Sequence, residues 1–250
     1  MPKVAPTILK HSEVIACCRA LQLSENAQQL TDIFDQFIQG LGLNTFILVE
    51  VTDPDIYPGP NLLIGTIPKN YLKKYWQGGN IFHDPMTRQI IHANIPVRFC
   101  DIAKSPDPTR DEQKTMDMRA KQGIIDGYSF PLKGRLNRFA MMGVHGDVSG
   151  FIDCDVMLLE MLCIEFYRQA TQLFPLPANL QQAEHGVLTK RERECLSWVA
   201  KGKTNWDVSQ ILMITERTVQ YHIENAREKL GAESRLHAVI LAARHLEIVL

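Results

Sequence analysis

Several features that would assign this chain to a common class are missing from its sequence. The six cysteines include no C-x-x-C pair and no Cys/His spacing typical of a metal site. They favour structural thiols in a reducing compartment, so we expect a cytoplasmic chain with no metal and no cofactor. No apolar run approaches the roughly 20 residues of a membrane-spanning helix. The N-terminal stretch lacks a signal-peptide core, and we expect neither a signal peptide nor contact with a membrane.

The chain also has little net charge. The formal net charge is −1 over 250 residues, so the chain lacks a broadly basic face. The sequence from Gly186 to the end holds 10 Lys and Arg against 8 Asp and Glu, whereas residues 1–174 hold 17 against 19. Any contacts to phosphate groups would therefore be local. The His, Asp and Ser residues form no nucleophile motif, and we expect that the protein is not an enzyme.

Three short helices with clear start signals are predicted near the C-terminus. The segment Thr189–Glu192 has the T-x-x-E pattern of a capping box, and Thr204–Asp207 is a variant of it. Thr215 can cap a third helix. Gly202 and Gly231 stand where the first and third helices should end.

The third of these helices has one apolar and one polar face. Its apolar residues recur at helical spacing: Val219, Ile223, Ala226 and Leu230. The other face includes Gln220 and Glu224; glutamine can read adenine in the major groove, and glutamate can accept from cytosine. Spacing alone leaves two interpretations equal. One is a helix-turn-helix that reads DNA, and the other is a small helical bundle with a solvated face.

The same segment resembles the DNA-binding domain of LuxR-type transcription regulators. The match begins with L-T-x-R-E-x-E-x-L-x-W at Leu188, continues through Gly202-Lys203-Thr204 and Glu216–Val219, and ends at Leu230. The resemblance implies double-stranded DNA as a partner. The residues expected to contact DNA are Lys203, Thr204, Arg217, Thr218, Gln220, Tyr221, Glu224 and Arg227. Among them Gln220 and Glu224 would read bases, because they point away from the apolar stripe, while the cationic residues would contact phosphate.

Residues 1–174 alternate between helical and extended patterns. We predict helices over 9–22, 24–41, 68–76, from 85 onward, 109–123 and 154–174, and strands over 44–51, 61–67, 99–102, 127–132 and 138–145. Asp84 before Pro85 is typical of an N-cap followed by proline in the first helical turn. Short connections between most strands predict a mainly antiparallel sheet, and the flanking helices predict an α/β layered domain.

This N-terminal half resembles the ligand-sensing domain of LuxR-type quorum sensors, which bind N-acyl-homoserine lactones inside an α/β/α sandwich. The likeness depends on Tyr75, Asp84, Pro85 and Gly127, and on the spacing of Tyr71 from Tyr75 and Asp84. It implies the ligand-binding residues Tyr71, Tyr75, Asp84, Phe99, Gly127 and Ser129. Asp84 would accept a hydrogen bond from a ligand amide, and the Tyr71 hydroxyl would donate one to a carbonyl.

Some of these residues have an equally simple explanation, and others depart from the family pattern. Asp84 is a good N-cap without any ligand, and two tyrosines four apart on a helix are typical of a core. Ile67 stands where the family has a donating tyrosine; Tyr71 and Phe99 replace tryptophans. The ligand is therefore an unusual acyl-homoserine lactone or a non-lactone signal. A regulator that acts without ligand stays open.

The combined prediction is an α/β/α sandwich with a mostly antiparallel sheet over 1–174, a linker over 175–186 and an all-α helix-turn-helix domain over 187–250. Its predicted function is ligand-responsive transcription regulation in quorum sensing. The partners are a second copy of the chain, an inverted-repeat promoter site and RNA polymerase. The alternative is an orphan regulator that responds to a non-lactone signal or to none.

Overall fold

The computed structural model describes residues 8–51, 62–77, 84–102, 108–135, 139–175 and 187–249. The chain divides into two compact units, the first formed by 1–134 with 139–175 and the second by 135–138 with 176–250. We call them the sensing unit and the DNA-binding unit. Apart from Pro175, the predicted linker lies outside the described residues. Among the described residues, no helix is both long and apolar enough to cross a membrane.

The sensing unit is built on one five-stranded sheet with helices on both faces. Its strands are β1 (Leu43–Val51), β2 (Leu62–Gly65), β3 (Val97–Arg98), β4 (Gly127–Lys133) and β5 (Phe139–Gly146). Its helices are α1 (His11–Gln22), α2 (Ala27–Gly40), α3 (Lys69–Gln77), α4 (Pro85–Ala93), α5 (Phe99–Ile102), α6 (Arg110–Ala120) and α7 (Asp153–Leu173). The strand order is β2-β1-β5-β4-β3, and the neighbouring strands pair antiparallel. The predicted fold class is confirmed.

Side chains of β1 alternate between two cores, as the two-residue period of a strand requires. Phe46 and Leu48 belong to the core beneath α1, α2 and α7, where Phe46 packs edge-to-face with Phe34 and Phe166 at centroid distances of 4.8 and 5.3 Å. Ile47 and Val49 belong to a second, smaller core that residues of α3, α4 and α5 complete. The sheet is therefore buried on both faces.

Two local predictions in the sensing unit had different outcomes. Asp84 is the N-cap of α4, as expected, because its side chain accepts a hydrogen bond from the Met86 backbone N–H at 2.9 Å. The strand predicted over 99–102 is wrong, since Phe99–Ile102 is a helical turn and the strand occupies Val97–Arg98. In this antiparallel register Phe99 would face Gly127, the first residue of β4, so the residues after Phe99 have no β4 residue with which to pair.

The DNA-binding unit consists of α8 (Lys190–Ala200), α9 (Asn205–Leu212), α10 (Glu216–Lys229) and α11 (Arg235–Arg244). Thr189 and Thr204 form the predicted capping boxes, and Thr215 accepts a hydrogen bond from the Thr218 backbone N–H at 3.1 Å. Val219 and Ile223 are buried in the shared core. The predicted helix-turn-helix is confirmed, and its three start signals account for its three helix starts.

Candidate ligand cavity and DNA-binding surface

A cavity of about 50 Å³ lies in the second core of the sensing unit. Most of its lining is apolar and comes from β1, β5 and the helices α3 to α5. Its polar lining residues are Tyr71, Tyr75, Thr87, Arg119, Ser129 and His145. An engineered cavity of about 150 Å³ admits benzene, so a ligand with an acyl chain requires side chains around this cavity to move apart.

Asp84 is fully buried, and protein donors occupy both of its carboxylate oxygens. One oxygen accepts from the Met86 backbone N–H. The other accepts from the Tyr75 hydroxyl and from the guanidinium of Arg119. Tyr75 and Arg119 line the cavity, whereas Asp84 is not among the described residues that do. The carboxylate predicted to meet a ligand amide therefore lies behind two protein side chains.

Arg119 is one of the polar cavity residues that the sequence-based prediction missed, together with Thr87 and His145. It lies in the last turn of α6, 35 residues after Asp84, and is 8% exposed. Its guanidinium carbon also lies 4.9 Å from the centroid of the Phe99 ring, in a cation–π contact. Burial lowers the pKa of Arg119 but the Asp84 carboxylate raises it, with a net increase, so the side chain is a permanent cation.

The sequence does contain a helical period that includes Arg119, but the residues that recur at this period are polar. The buried positions of α6 are Glu112, Thr115 and Arg119, at spacings of three and four. A search for apolar periodicity treats this helix as solvated, because the stripe that faces the interior is polar. Glu112 is in turn paired with Arg88 of α4.

The hydroxyl groups of the cavity are neutral donors. Burial raises the pKa of Tyr71 to about 12 and that of Tyr75 well above its ordinary value. Thr87 and Ser129 are only 4% and 0% exposed, and their hydroxyl groups have no hydrogen-bond partner among the described residues. Because a buried polar group without a partner is costly, this pair is an indication that a ligand completes the site.

His145 of β5 lines the cavity, although it was not among the ligand-binding residues predicted from the sequence. Its Nδ1 lies 3.1 Å from the Thr45 hydroxyl, and its ring packs edge-on against Phe99 at 5.1 Å. Burial, aided by the charge of Arg119, lowers the pKa of His145 to about 3. The imidazole is therefore neutral at physiological pH.

Four of the six predicted ligand residues line the cavity: Tyr71, Tyr75, Phe99 and Ser129. Asp84 lies behind them, and Gly127 begins β4 without lining the cavity among the described residues. A Cβ atom at Gly127 would approach the Val144 carbonyl oxygen to 2.2 Å at a φ of +141°. Close packing against β5 explains this glycine without a ligand, and the binding roles of all six residues stay a prediction.

The face of α10 opposite the core is polar and accessible. Arg217, Gln220 and Tyr221 are exposed there, and Lys203 and Thr204 are exposed just before α9. Thr218 is half-buried through its contact with the cap residue Thr215. These positions suit contact with a DNA groove.

Gln220, Glu224 and Arg227 of α10 also have side-chain partners inside the unit. The Gln220 side-chain oxygen accepts from the Asn205 amide at 2.6 Å, which orients the NH₂ group of Gln220 away from Asn205. Glu224 and Arg227 form an ion pair. Arg227 also donates to the Ala232 carbonyl at 3.3 Å. Arg227 therefore has fewer free donors for phosphate than Arg217.

A chain with a small-molecule cavity in one unit and a helix-turn-helix in the other belongs to the class of ligand-responsive DNA-binding regulators. Residues 26–170 match the autoinducer binding domain, and residues 186–242 match the bacterial regulatory proteins of the luxR family. The chain belongs to the LuxR family. It is therefore a ligand-responsive transcription regulator and not an enzyme.

Similar proteins include two curated transcription regulators. The chain is 28% identical over 207 residues to the transcriptional activator protein BjaR1 of Bradyrhizobium diazoefficiens, covering 82% of this chain and 83% of that protein. It is 27% identical over 231 residues to the quorum sensing-dependent regulator RpaR of Rhodopseudomonas palustris, covering 90% and 92%. Among solved structures, Escherichia coli SdiA matches with a TM-score of 0.62 at 19% identity, covering 94% and 97%. This last likeness shows the fold alone.

Proposed function

We propose that this protein is a cytoplasmic quorum-sensing regulator that binds an N-acyl-homoserine lactone or a related small signal in the sensing unit. As a homodimer it binds an inverted-repeat promoter site and contacts RNA polymerase. The observation that carries the proposal is a cavity lined by two buried hydroxyls, those of Thr87 and Ser129, that have no hydrogen-bond partner in the described part of the chain, which also holds a helix-turn-helix.

The lining of the cavity supports a ligand with one polar end and one apolar end. Its polar residues lie beside Ile47, Val49 and Met141, which belong to the surrounding apolar core. A small, mostly apolar site with a few placed hydrogen-bonding groups is typical of small-molecule recognition. SdiA has been solved in complex with octanoyl-rac-glycerol, a molecule of this kind.

The exposed face of α10 supports base contact by Gln220, and the exposure of Lys203 and Arg217 supports contact with phosphate. Glu224 is our second choice for base contact, although its pairing with Arg227 must open first. In a two-fold dimer, two such helices meet half-sites about one helical turn or a multiple apart. This geometry favours an inverted repeat.

Two exposed apolar stripes support self-association. On α7, Met157, Met161 and Ile164 recur at spacings of four and three on the side away from the core. On α11, Leu236 and Ile240 are exposed four residues apart. Apolar helical stripes of this kind are buried in helix pairs, so we assign them to contacts between two copies of the chain.

One observation favours the alternative of a regulator that acts without ligand. Arg119 already neutralises Asp84, and Tyr75 adds a hydrogen bond to the same carboxylate. The buried charge is thus paired without any ligand. Under this alternative the chain would bind DNA whether or not the cavity is occupied.

The test is to purify the full chain from cells grown with and without a mixture of acyl-homoserine lactones. Small molecules released on denaturation are identified by mass spectrometry. Each preparation is also used to select its preferred sites from a pool of random duplex DNA, and the selected duplexes are sequenced. We expect a bound acyl compound and a selected inverted repeat. An empty protein that selects the same site in both preparations would favour the ligand-independent alternative. Selection of a direct repeat or an isolated half-site would contradict the two-fold dimer.

The dimer has its own test in the variant Met161→Lys, which places a charge within the α7 stripe. Sedimentation should show a lower association constant for this variant than for the exposed control Glu13→Lys on α1. An unchanged constant would remove α7 from the proposed interface.

A further inference from the structure

We propose that the cavity recognises its ligand through oxygen acceptors on the ligand and does not read an amide N–H. The inference depends on the proposed function, because it concerns the chemistry of the signal bound in that cavity. The class of ligand it points to is a neutral molecule with ester, lactone or ketone oxygens, in which an amide is tolerated and not required.

The first argument is the balance of donors and acceptors in the lining. Arg119 can only donate, and the hydroxyls of Thr87 and Ser129 are buried with no partner among the described residues. The described lining residues include no carboxylate and no carboxamide side chain. A carbonyl or ester oxygen would satisfy these donors, whereas an N–H would find only hydroxyl oxygens and the neutral His145 as side-chain acceptors.

The second argument is the position of Asp84. This carboxylate would be the strongest acceptor for an amide, but the Met86 N–H, the Tyr75 hydroxyl and the Arg119 guanidinium already donate to it. An amide N–H would have to compete for Asp84 with these three protein donors, and Tyr75 and Arg119 line the cavity in front of the carboxylate. To displace Arg119 would break a buried ion pair. Breaking such a pair leaves an uncompensated charge and is strongly unfavourable.

The third argument concerns charge and decides for a neutral ligand. Arg119 and Asp84 together are neutral, and both are buried. A ligand carboxylate would add a negative charge close to Asp84 without a second cation among the described lining residues. Burying an unpaired charge is costly. A neutral carbonyl oxygen gains the same Arg119 donor without that cost.

The experiment compares two molecules that differ at one atom. One is octanoyl-homoserine lactone, and the other is its ester analogue, in which oxygen replaces the amide N–H. Their affinities for the full chain are measured by titration calorimetry. We expect the two dissociation constants to agree within about threefold. A hydrogen bond from the amide to a buried carboxylate would instead favour the amide by about tenfold or more.

Variants of the pair test the role of Arg119. In Arg119→Gln we expect the ester to bind at least about tenfold more weakly, and the amide to become the preferred ligand because Asp84 has lost its cation. The matched control is Lys121→Gln, an exposed cation just after α6, which should leave both affinities unchanged. If Arg119→Gln does not fold, the double variant Asp84→Asn/Arg119→Gln removes both charges together and should also weaken the ester.

The outcomes separate the two proposals. Binding of the amide with rejection of the ester by the unaltered protein would overturn the inference and leave the proposed function intact. Equal affinities that do not change in Arg119→Gln or in the double variant would also overturn it, because Arg119 would then not contact the ligand. Binding of neither molecule would count against the proposed function, and the inference would fall with it.

Discussion

The Asp84–Arg119 pair of the sensing unit lies in a different environment from the two ion pairs that hold buried carboxylates in the DNA-binding unit. In the sensing unit both side chains of the Asp84–Arg119 pair are buried, at 0% and 10% exposure. In the DNA-binding unit the carboxylate of Glu192 is buried, but its partner Lys229 is 38% exposed. Glu247 pairs with Arg193 in the same way, with the cation at 40%. Of these three pairs, Asp84–Arg119 is the one in which the cation is buried as well.

This difference explains why the two halves of the molecule present their functions differently. A helix-turn-helix acts through an exposed face, so its charged groups stay solvated and can move toward phosphate. A ligand cavity acts through an interior, where each polar group needs a partner from the protein or from the ligand. Substitutions in each unit therefore test whether solvent access to the charged groups governs stability and binding.

Removing the cation from each pair should have unequal consequences for stability. Arg119→Met leaves Asp84 buried without its cation, and we expect the free energy of unfolding of the sensing unit to fall by about 3–5 kcal/mol. Lys229→Met is the matched change in the DNA-binding unit and should cost about 1 kcal/mol or less, because solvent screens that cation. Urea titrations followed by hydrogen exchange in peptides of each unit measure the two losses separately. Equal losses would refute the distinction between the pairs.

Base and phosphate contacts of the DNA-binding unit should respond differently to substitution. Gln220→Ala should relax the preference at one base pair, by about 1–3 kcal/mol. Lys203→Ala should weaken binding to all sequences alike and reduce the salt dependence by about one phosphate contact. Fluorescence anisotropy on a set of single-substituted operators at two salt concentrations measures both effects. A uniform loss in Gln220→Ala would make it a backbone contact.

The histidine of the cavity should make the sensing unit sensitive to acid. The folded pKa of His145 is about 3, below the ordinary 6.5, so the unfolded chain takes up a proton first as the pH falls. Stability is therefore complete above about pH 6.5 and is lost toward pH 3, at about 1.4 kcal/mol per pH unit. His145→Gln should reduce this slope, while the exposed control His92→Gln should keep it. Urea unfolding midpoints at pH 7.5 and 5.5 measure the slope of stability against pH in each variant. The same slope in both variants would exclude His145 as the cause of the acid sensitivity.

Local patterns were sufficient where a structure depends on neighbours in the sequence. The hydroxyls of Thr189, Thr204 and Thr215 cap the helices they were predicted to cap, because a cap bonds a backbone N–H only a few residues away. The apolar stripe of α10 predicted its buried face for the same reason. The candidate DNA-binding surface could be predicted from the sequence because it is the opposite face of that helix.

The cavity could be predicted only in part. Four of its lining residues were named through the family resemblance. The strand expected from Phe99 to Ile102 is instead a helical turn, since β4 begins at Gly127 and offers no partner to the residues after Phe99. The histidine at position 145 was assigned no special role. Its inward direction follows from its place in the alternation of β5, beside β4 and β1.

By itself the sequence determined the helix starts, the faces of the helices and strands, and the family to which the chain belongs. Only the tertiary structure decided which charges meet in the interior. Asp84 caps its own helix, which is a local role. Its second oxygen pairs with Arg119 of α6, which lies 35 residues later in the sequence. Such a pair forms when two helices pack on one sheet, and no short-range period connects its members. The chemistry of the cavity is for that reason a property of the fold.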